Sequence, residues 1–359
     1  MLGIVAAVDN AKGVIGVAPE CGVRVVSQWF KNSAGAFFST ADAIASAVAQ
    51  MKAGDVLLLE TTAPPVSKFG WVPVDTDPLC FLLIKIATSI GITVVEPAGN
   101  NGVKADTPHI GGSNLDAFTD PQGKFILNRA NPDDLRDSGA IMVGAASSAV
   151  PHTRMAFSNY GSRVDCYAWG ENIATCGGWG LTPQAAYMIN FAGTSGASAI
   201  VAGAAVLLQS WALKHQGGPL GTAALRSILS DVSLNTPSQN PTIDRIGVMP
   251  DLKRLIQHLN GSRVPRRLDA IIALLIGGIA QDGGGWKWTP GGGLTPVGPR
   301  TDKQGNGLSA DQRDMIIGMT LLELASLVSD VSDRRILEKA SAALILDSAG
   351  RITGKIGEQ

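Results

Sequence analysis

Between Asn172 and Leu213 the chain carries no charged residue, and so long an uncharged stretch must lie either in a bilayer or inside a folded core. Gly, Ser, Asn, Thr and Gln recur throughout it. Its densest apolar part, Ile200 to Leu208, falls well short of the 18 or so residues that a spanning helix needs. The stretch is therefore predicted to be buried core. A second apolar run, Ala270 to Ala280, is equally short and is interrupted by Gly277 and Gly278, so no membrane span is expected. With 29 Lys and Arg against 30 Asp and Glu, a net charge of −1 and no block of like charges, a nucleic-acid partner held by phosphate neutralisation is not expected either.

The 359 residues suffice for two or three domains. Val23 to Val26, Val56 to Leu59, Ile92 to Val95 and Ala140 to Val143 are short apolar runs bounded by Gly, Pro, Ser or Asp, the pattern of strands buried on both faces. Between them, Ala41 to Met51 and Leu79 to Ile90 place apolar residues at helical spacing. Strand and helix alternate, which predicts an α/β fold with a doubly wound parallel sheet. Residues 103–136 interrupt the alternation with TPHIGGSN and TDPQGK turn chemistry and are predicted to be a surface insertion.

A composition change at HLNGSRVPRR ends the alternation, dividing the chain into 1–259 and a small, mainly helical extension over 260–359. Helices are predicted there from Leu268 to Ile279, from an N-cap at Ser309 to about Val328, and from Asp330 or Ser332 to about Leu346. Trp286 and Trp288, between two GGG runs, fit either a glycine-cornered hairpin packed on those helices or a carbohydrate- or surface-binding face.

Cys21, Cys80, Cys166 and Cys176 are spaced for neither a zinc ribbon nor a CxxC motif. Cys166 and Cys176 are close enough to pair in an oxidising compartment; otherwise both are small core residues. The opening MLGIVAAVDN lacks the basic region and cleavage site of a signal peptide.

Two motifs carry chemistry. Gly193-Thr-Ser-Gly-Ala-Ser198 precedes the uncharged AIVAGAAVLLQSWAL, so Ser195 would sit in the first turn of a buried helix. There, free backbone N–H groups and the helix dipole favour developing negative charge. Taken alone, the motif fits an ordinary Thr or Ser N-cap equally. Val94-Val-Glu-Pro-Ala-Gly-Asn-Asn-Gly102 reads as a strand running into a turn that could aim the Asn100 amide into a cleft.

Together these motifs resemble the subtilisin-like serine peptidases, and three further stretches follow in family order: GVIGVAP at 13–19, SGAIMVGAA at 138–146 and FSNYG at 157–161. The resemblance implies a serine endopeptidase acting on polypeptides, with Ser195 as nucleophile and its N–H and the Asn100 side-chain amide as oxyanion hole. It places Glu96, Ala98 and Gly99 around the pocket for the residue before the scissile bond, with Glu60 at the end of the neighbouring strand. Glu60 and Glu96 would bias that pocket toward Lys or Arg, or would simply pair with nearby basic residues. No cofactor is implied. Val8, Asn10, Lys12 and Val14 match a loop that binds calcium in some relatives, without that loop's other ligands. Most relatives are exported.

The chain also departs from the pattern. Ala199 and Trp169 replace frequent prolines, and Gly196 stands where Met is common. The family's D-[ST]-G and H-G-T-x-V-A-G motifs, which carry the catalytic aspartate and histidine, do not occur in the 359 residues; aligned on GVIGVAP, the histidine would fall four residues before Met1. The resemblance thus implies an amino-terminally truncated domain with an incomplete sheet, essentially inactive as a peptidase by itself. It places Val23 to Val26 between the family's first two strands. Asp137-Ser-Gly139 precedes the wrong strand and is read as a decoy. Among the histidines, His215, His258 and His152 lie too far along the chain or in the wrong loops, and His109 in the insertion is the one conceivable substitute. A catalytically inactive peptide-binding relative is the alternative function.

Overall fold

A computed structural model describes residues 1–33, 35–66, 69–101, 111–177, 186–261, 285–289 and 293–297. The chain forms two compact units, Met1–Ile256 and Gln257–Gln359. In order, the first contains α1 (Leu2–Ala6), the hairpin β1 (Trp29–Asn32) and β2 (Gly35–Phe38), α2 (Thr40–Val48), β3 (Val56–Leu58), and the hairpin β4 (Thr62–Val66) and β5 (Gly70–Pro73). Then come α3 (Pro78–Ser89), β6 (Thr93–Pro97), β7 (Ile141–Ala146), β8 (Cys166–Trp169), and the pair β9 (Ile173–Cys176) and β10 (Tyr187–Phe191). The long α4 (Thr194–Gln216), α5 (Thr222–Leu229), β11 (Thr236–Pro237), α6 (Pro241–Asp244) and β12 (Val248–Met249) follow, and α7 (Leu252–Gly261) runs across the division.

Six strands form the central sheet in the order β11-β12-β8-β7-β6-β3. Every pairing is parallel except β11 with β12. Successive strand residues point to opposite faces, and β6 shows which helix covers which face. Thr93 meets Gln209 of α4, whereas Val94 joins Ile84 and Ala87 of α3 and Ile44 of α2 in one apolar cluster. The sheet is therefore doubly wound. Local chemistry fixes the helix starts: the Ser39 side chain accepts the Asp42 N–H, and the Asp77 carboxylate accepts those of Leu79 and Cys80 with Pro78 in the first turn.

The uncharged segment becomes β9, β10 and α4. By length and composition α4 could cross a membrane, but here it packs across β6, β7 and β8 and is buried from Thr194 to Ala212 on its inner side. Val23 to Val26 do not form the predicted strand: they are extended coil, and Val25 is 72% exposed. An apolar run becomes a strand only where a neighbour takes its backbone groups. Residues 1–22 supply α1 and turns but no strand, and β3 forms one edge of the sheet.

The insertion is less superficial than its turn residues suggest. Its described part, from residue 111, buries Leu115, Phe118, Ile126 and Leu127 against Met142 and Tyr167, so turn chemistry located the loop but apolar burial anchors it. Cys166 and Cys176 are free thiols, the first buried and the second exposed. In the second unit, β13 (Gly285–Thr289) pairs antiparallel with β14 (Gly293–Val297), setting Trp286 opposite Pro296 and Trp288 opposite Leu294. The helices predicted over 268–279, 309–328 and 330–346 lie outside the described residues.

Candidate active site

The carboxyl end of β6 and the start of α4 bring the two motifs together. After Pro97 the chain turns through Ala98, Gly99 and Asn100. Gly99 has φ +92°, and a Cβ there would stand 2.1 Å from the Trp71 carbonyl oxygen, so glycine is required on both counts. The FSNYG turn clamps this corner. Asn159 Nδ2 donates to the carbonyls of Ala98 and Trp71, both at 2.8 Å, and the Asn159 N–H donates to the Gly99 carbonyl at 3.1 Å.

Asn100 is thereby held over the start of α4. Its Oδ1 accepts from the N–H and the hydroxyl of Thr194, both at 3.1 Å, which turns Nδ2 the other way. Gly193 caps the helix at φ +96° with no side chain of its own closing the helix end; Thr194 N–H goes to Asn100 Oδ1 and the Gly196 and Ala197 N–H groups to the Gly193 carbonyl, which leaves the Ser195 N–H without an acceptor among the described residues. A Cβ placed on Gly193 would stand 3.7 Å from both Asn100 Nδ2 and Ser195 N. Two donors thus border one space at the start of α4, with Asn100 Oδ1 at 3.8 Å, and neither donor has an acceptor among the described residues. Such a pair can stabilise a negative oxygen.

Glu60 enters from the end of β3. Its Oε1 accepts the Ser198 hydroxyl at 3.0 Å, and Ser198, one turn along α4, also donates to the Ser195 carbonyl at 3.0 Å. Its other oxygen, Oε2, is buried without a hydrogen-bond partner. Burial pushes the carboxyl up to about 7, while the hydroxyls of Ser198 and Ser195 favour the charged form. The Ser198 contact was not legible in the sequence.

Glu96 does not border this space. It is completely buried, with its carboxyl against Asp75 and 4.0 Å from Arg163; burial and the neighbouring Asp75 push it well above the usual carboxylate range. The Glu96 oxygen nearest Arg163, Oε1, has no hydrogen-bond partner. Ala98 is also fully enclosed and Gly99 is spent on the turn, whereas Glu60 brings its side chain to Ser198 in the first turns of α4.

The remaining candidates fall elsewhere. Asp137 of the decoy motif binds Arg226 at 2.7 Å and caps the Gly139 N–H. His215 stacks on Trp211 near the far end of α4, His152 Nδ1 lies 2.8 Å from the Ser147 carbonyl, and His258 is in α7; His109 lies outside the described residues. In the loop expected to resemble a calcium site, Asn10 Oδ1 accepts the Lys12 N–H. Among the described residues no group of three His, Cys, Asp or Glu side chains is arranged to hold a metal ion. Ile173 accounts for Gly196, where a Cβ would come within 2.5 Å of its Cδ1. An apolar cavity of about 430 Å³ lies alongside, between Ile4, Val17, Trp169, Ile200 and Leu252, but Ser195, Asn100 and Glu60 do not line it.

A doubly wound sheet that delivers a serine on a buried helix to an asparagine amide defines a class, the serine peptidases built on a parallel α/β sheet. Residues 1–246 match the subtilase family, and the chain belongs to it. A search of curated proteins returns no match. Among solved structures, the patellamide maturation protease PatA is 21% identical with a TM-score of 0.50, covering 72% of this chain and 82% of that one. A lanthipeptide protease is 16% identical over 72% of this chain and 83% of its own, with a TM-score of 0.47. A cold-adapted subtilisin-like serine proteinase is 22% identical over 65% and 67%, with a TM-score of 0.39.

Proposed function

We propose that this subtilase is a serine endopeptidase in which Ser195 attacks the carbonyl of a peptide bond while its own N–H and Asn100 Nδ2 hold the oxygen that becomes negative. The observation that carries this reading is the pair of unengaged donors, Ser195 N–H and Asn100 Nδ2, bordering one space at the start of α4. Such groups act where charge develops and need no reorganisation at the moment of attack. A polypeptide is the substrate, in keeping with a fold shared with a peptide maturation protease.

The family's histidine and aspartate motifs are not in residues 1–359, so turnover by this chain alone is expected to be slow; in subtilisin itself, loss of the catalytic histidine costs about a millionfold. The alternative reading, a peptide-binding relative without turnover, uses the same cleft. Prolonged incubation with an unfolded protein, with new termini mapped by mass spectrometry, separates the two. Slow cleavage abolished by Ser195→Ala supports the peptidase; retained peptide binding with no Ser195-dependent termini favours the binding protein.

A further inference from the structure

Behind the turn that presents Asn100, four carboxyls (Asp75, Glu96, Asp137, Asp165) meet three guanidinium groups (Arg129, Arg163, Arg226). With every carboxyl ionised the cluster would carry one excess negative charge, although Asp75, Glu96, Arg163 and Asp165 are all buried. An uncompensated charge there is costly, and one retained proton removes it. The geometry says which carboxyl keeps that proton. Arg226 binds Asp137 and Asp165, and Arg129 binds Asp165, which leaves Asp75 and Glu96 to Arg163 alone. Arg163 gives Nη1 to Asp165 at 2.8 Å and Nη2 to the Ala140 carbonyl at 3.0 Å. Its Nη2 lies 3.6 Å from Asp75 and 4.0 Å from Glu96, the most distant of the four carboxyls. Glu96 Oε2 accepts the Asp75 N–H at 3.4 Å, so the two residues are in direct contact. Glu96 Oε1 and Asp75 Oδ1 are both buried with no partner, and one proton between them would satisfy both.

We propose that Glu96 is a neutral acid whose proton, donated to Asp75, positions the turn that carries Asn100. The two residues lie on the two segments that border this turn. β6 continues from Glu96 through Pro97 and Ala98 to Gly99 and Asn100, and Asp75 follows β5, whose Trp71 carbonyl shares Asn159 Nδ2 with the Ala98 carbonyl. Glu96 and Asp75 tie the same two segments in the interior. Burial and the Asp75 charge keep the proton on Glu96, and Arg163 acts against them. Cys80 of α3 also lies near Glu96, but burial pushes its thiol up to about 12, so it brings no charge. Glu96 is a positioning residue, and its effect on Ser195 rests on the function proposed above.

Two readouts on the full chain separate the proton from its consequence. The first is urea denaturation of wild type and Glu96→Gln between pH 5 and 8. A carboxyl raised in the folded state contributes stability that is complete below its unfolded value of 4.5 and is lost as pH rises toward the folded value. Glu96→Gln keeps the shape and a donor but cannot ionise. Relative to it, the wild-type unfolding constant should rise by up to about tenfold per pH unit. Equal slopes would mean an ionised Glu96 and would overturn the inference. If Glu96→Gln does not fold, Asp75→Asn decides: loss of the neighbouring charge should flatten the wild-type slope, and an unchanged slope overturns the inference.

The second readout is labelling of Ser195 by an alkyl fluorophosphonate at pH 7, mapped by mass spectrometry. The phosphorus–oxygen bond forms as fluoride leaves, and no peptide preference enters. Glu96→Met, of similar volume but without a donor, should label about tenfold more slowly, a smaller loss than removal of an oxyanion donor itself. Glu96→Gln should restore the rate to near that of wild type. Equal rates in all three, or a Glu96→Gln slowed tenfold, would overturn the positioning role. Absence of labelling in the wild type would overturn the proposed function and the positioning role with it, while the urea slopes would still decide where the proton lies.

Discussion

Asn100 Oδ1 accepts both the N–H and the hydroxyl of Thr194, each at 3.1 Å. This double contact decides which way the asparagine amide faces: with the oxygen spent on the helix start, the nitrogen is left for the space beside Ser195. Thr194 is fully buried, so Thr194→Val keeps its shape and backbone bond while deleting one of the two contacts. The expected outcome is a loss of about 1 kcal/mol in stability and severalfold slower labelling of Ser195, measured by urea denaturation and phosphonylation on the same preparation.

Gly193→Ala tests the geometry from the other side. The residue sits at φ +96°, ψ 169°, a region essentially confined to glycine that costs another residue about 1–3 kcal/mol, and the new methyl would stand 3.7 Å from both donors, where the oxyanion must fit. Reactivity should fall far more than stability. Equal labelling rates for Gly193→Ala and wild type would place the oxyanion elsewhere.

How much of this was legible depended on whether the residues or their partners decide the structure. β3, β6 and β7 were readable because apolar runs bounded by breakers have few alternatives inside an α/β chain. Val23 to Val26 reads the same way, yet it is coil, since a ladder needs a neighbour that no property of those four residues supplies. Which face of β6 Glu96 takes could not be read from its motif; its side chain enters the interior, near Arg163 of a distant turn. The pairing of Glu60 with Ser198 joins residues far apart in sequence, which no spacing rule could reveal.

Arg163 is completely buried and holds Asp165 at 2.8 Å, with Asp75, Asp137 and Glu96 within 4.0 Å. Arg163→Met would strand buried carboxylates and should cost about 3–5 kcal/mol, read from the shift in urea midpoint. A loss below 1 kcal/mol would mean that Arg226 and Arg129 carry the network without it.

The same network sets the acid limit. Burial alone would raise the Asp137 and Asp165 carboxyls, but Arg163 and Arg226 more than offset it and hold both below the usual range, with Arg129 adding to the effect at Asp165. A carboxyl depressed in the folded state contributes stability that is present above its unfolded pKa of about 3.9 and lost as pH falls through the folded value. The urea midpoint should therefore drop as the pH is taken below 4, and the drop should be smaller in Asp137→Asn.

Glu60 works in the opposite sense. Its carboxyl is raised from 4.5 to about 7, so the folded state is favoured by its protonated form, fully below pH 4.5 and progressively less as pH rises through 7. Glu60→Gln removes this liability and should stabilise the protein at pH 8 by up to about 3 kcal/mol, with no gain at pH 4. Thermal unfolding at the two pH values checks the sign.

The central claim, that Ser195 and Asn100 form one reactive unit, is tested most directly by comparing fluorophosphonate labelling of wild type, Ser195→Ala and Asn100→Ala at pH 8. The account predicts one adduct on the wild type, mapped to Ser195, none on Ser195→Ala, and labelling slowed about a hundredfold in a folded Asn100→Ala. An adduct on another residue, or undiminished labelling of Ser195 without Asn100, would contradict it.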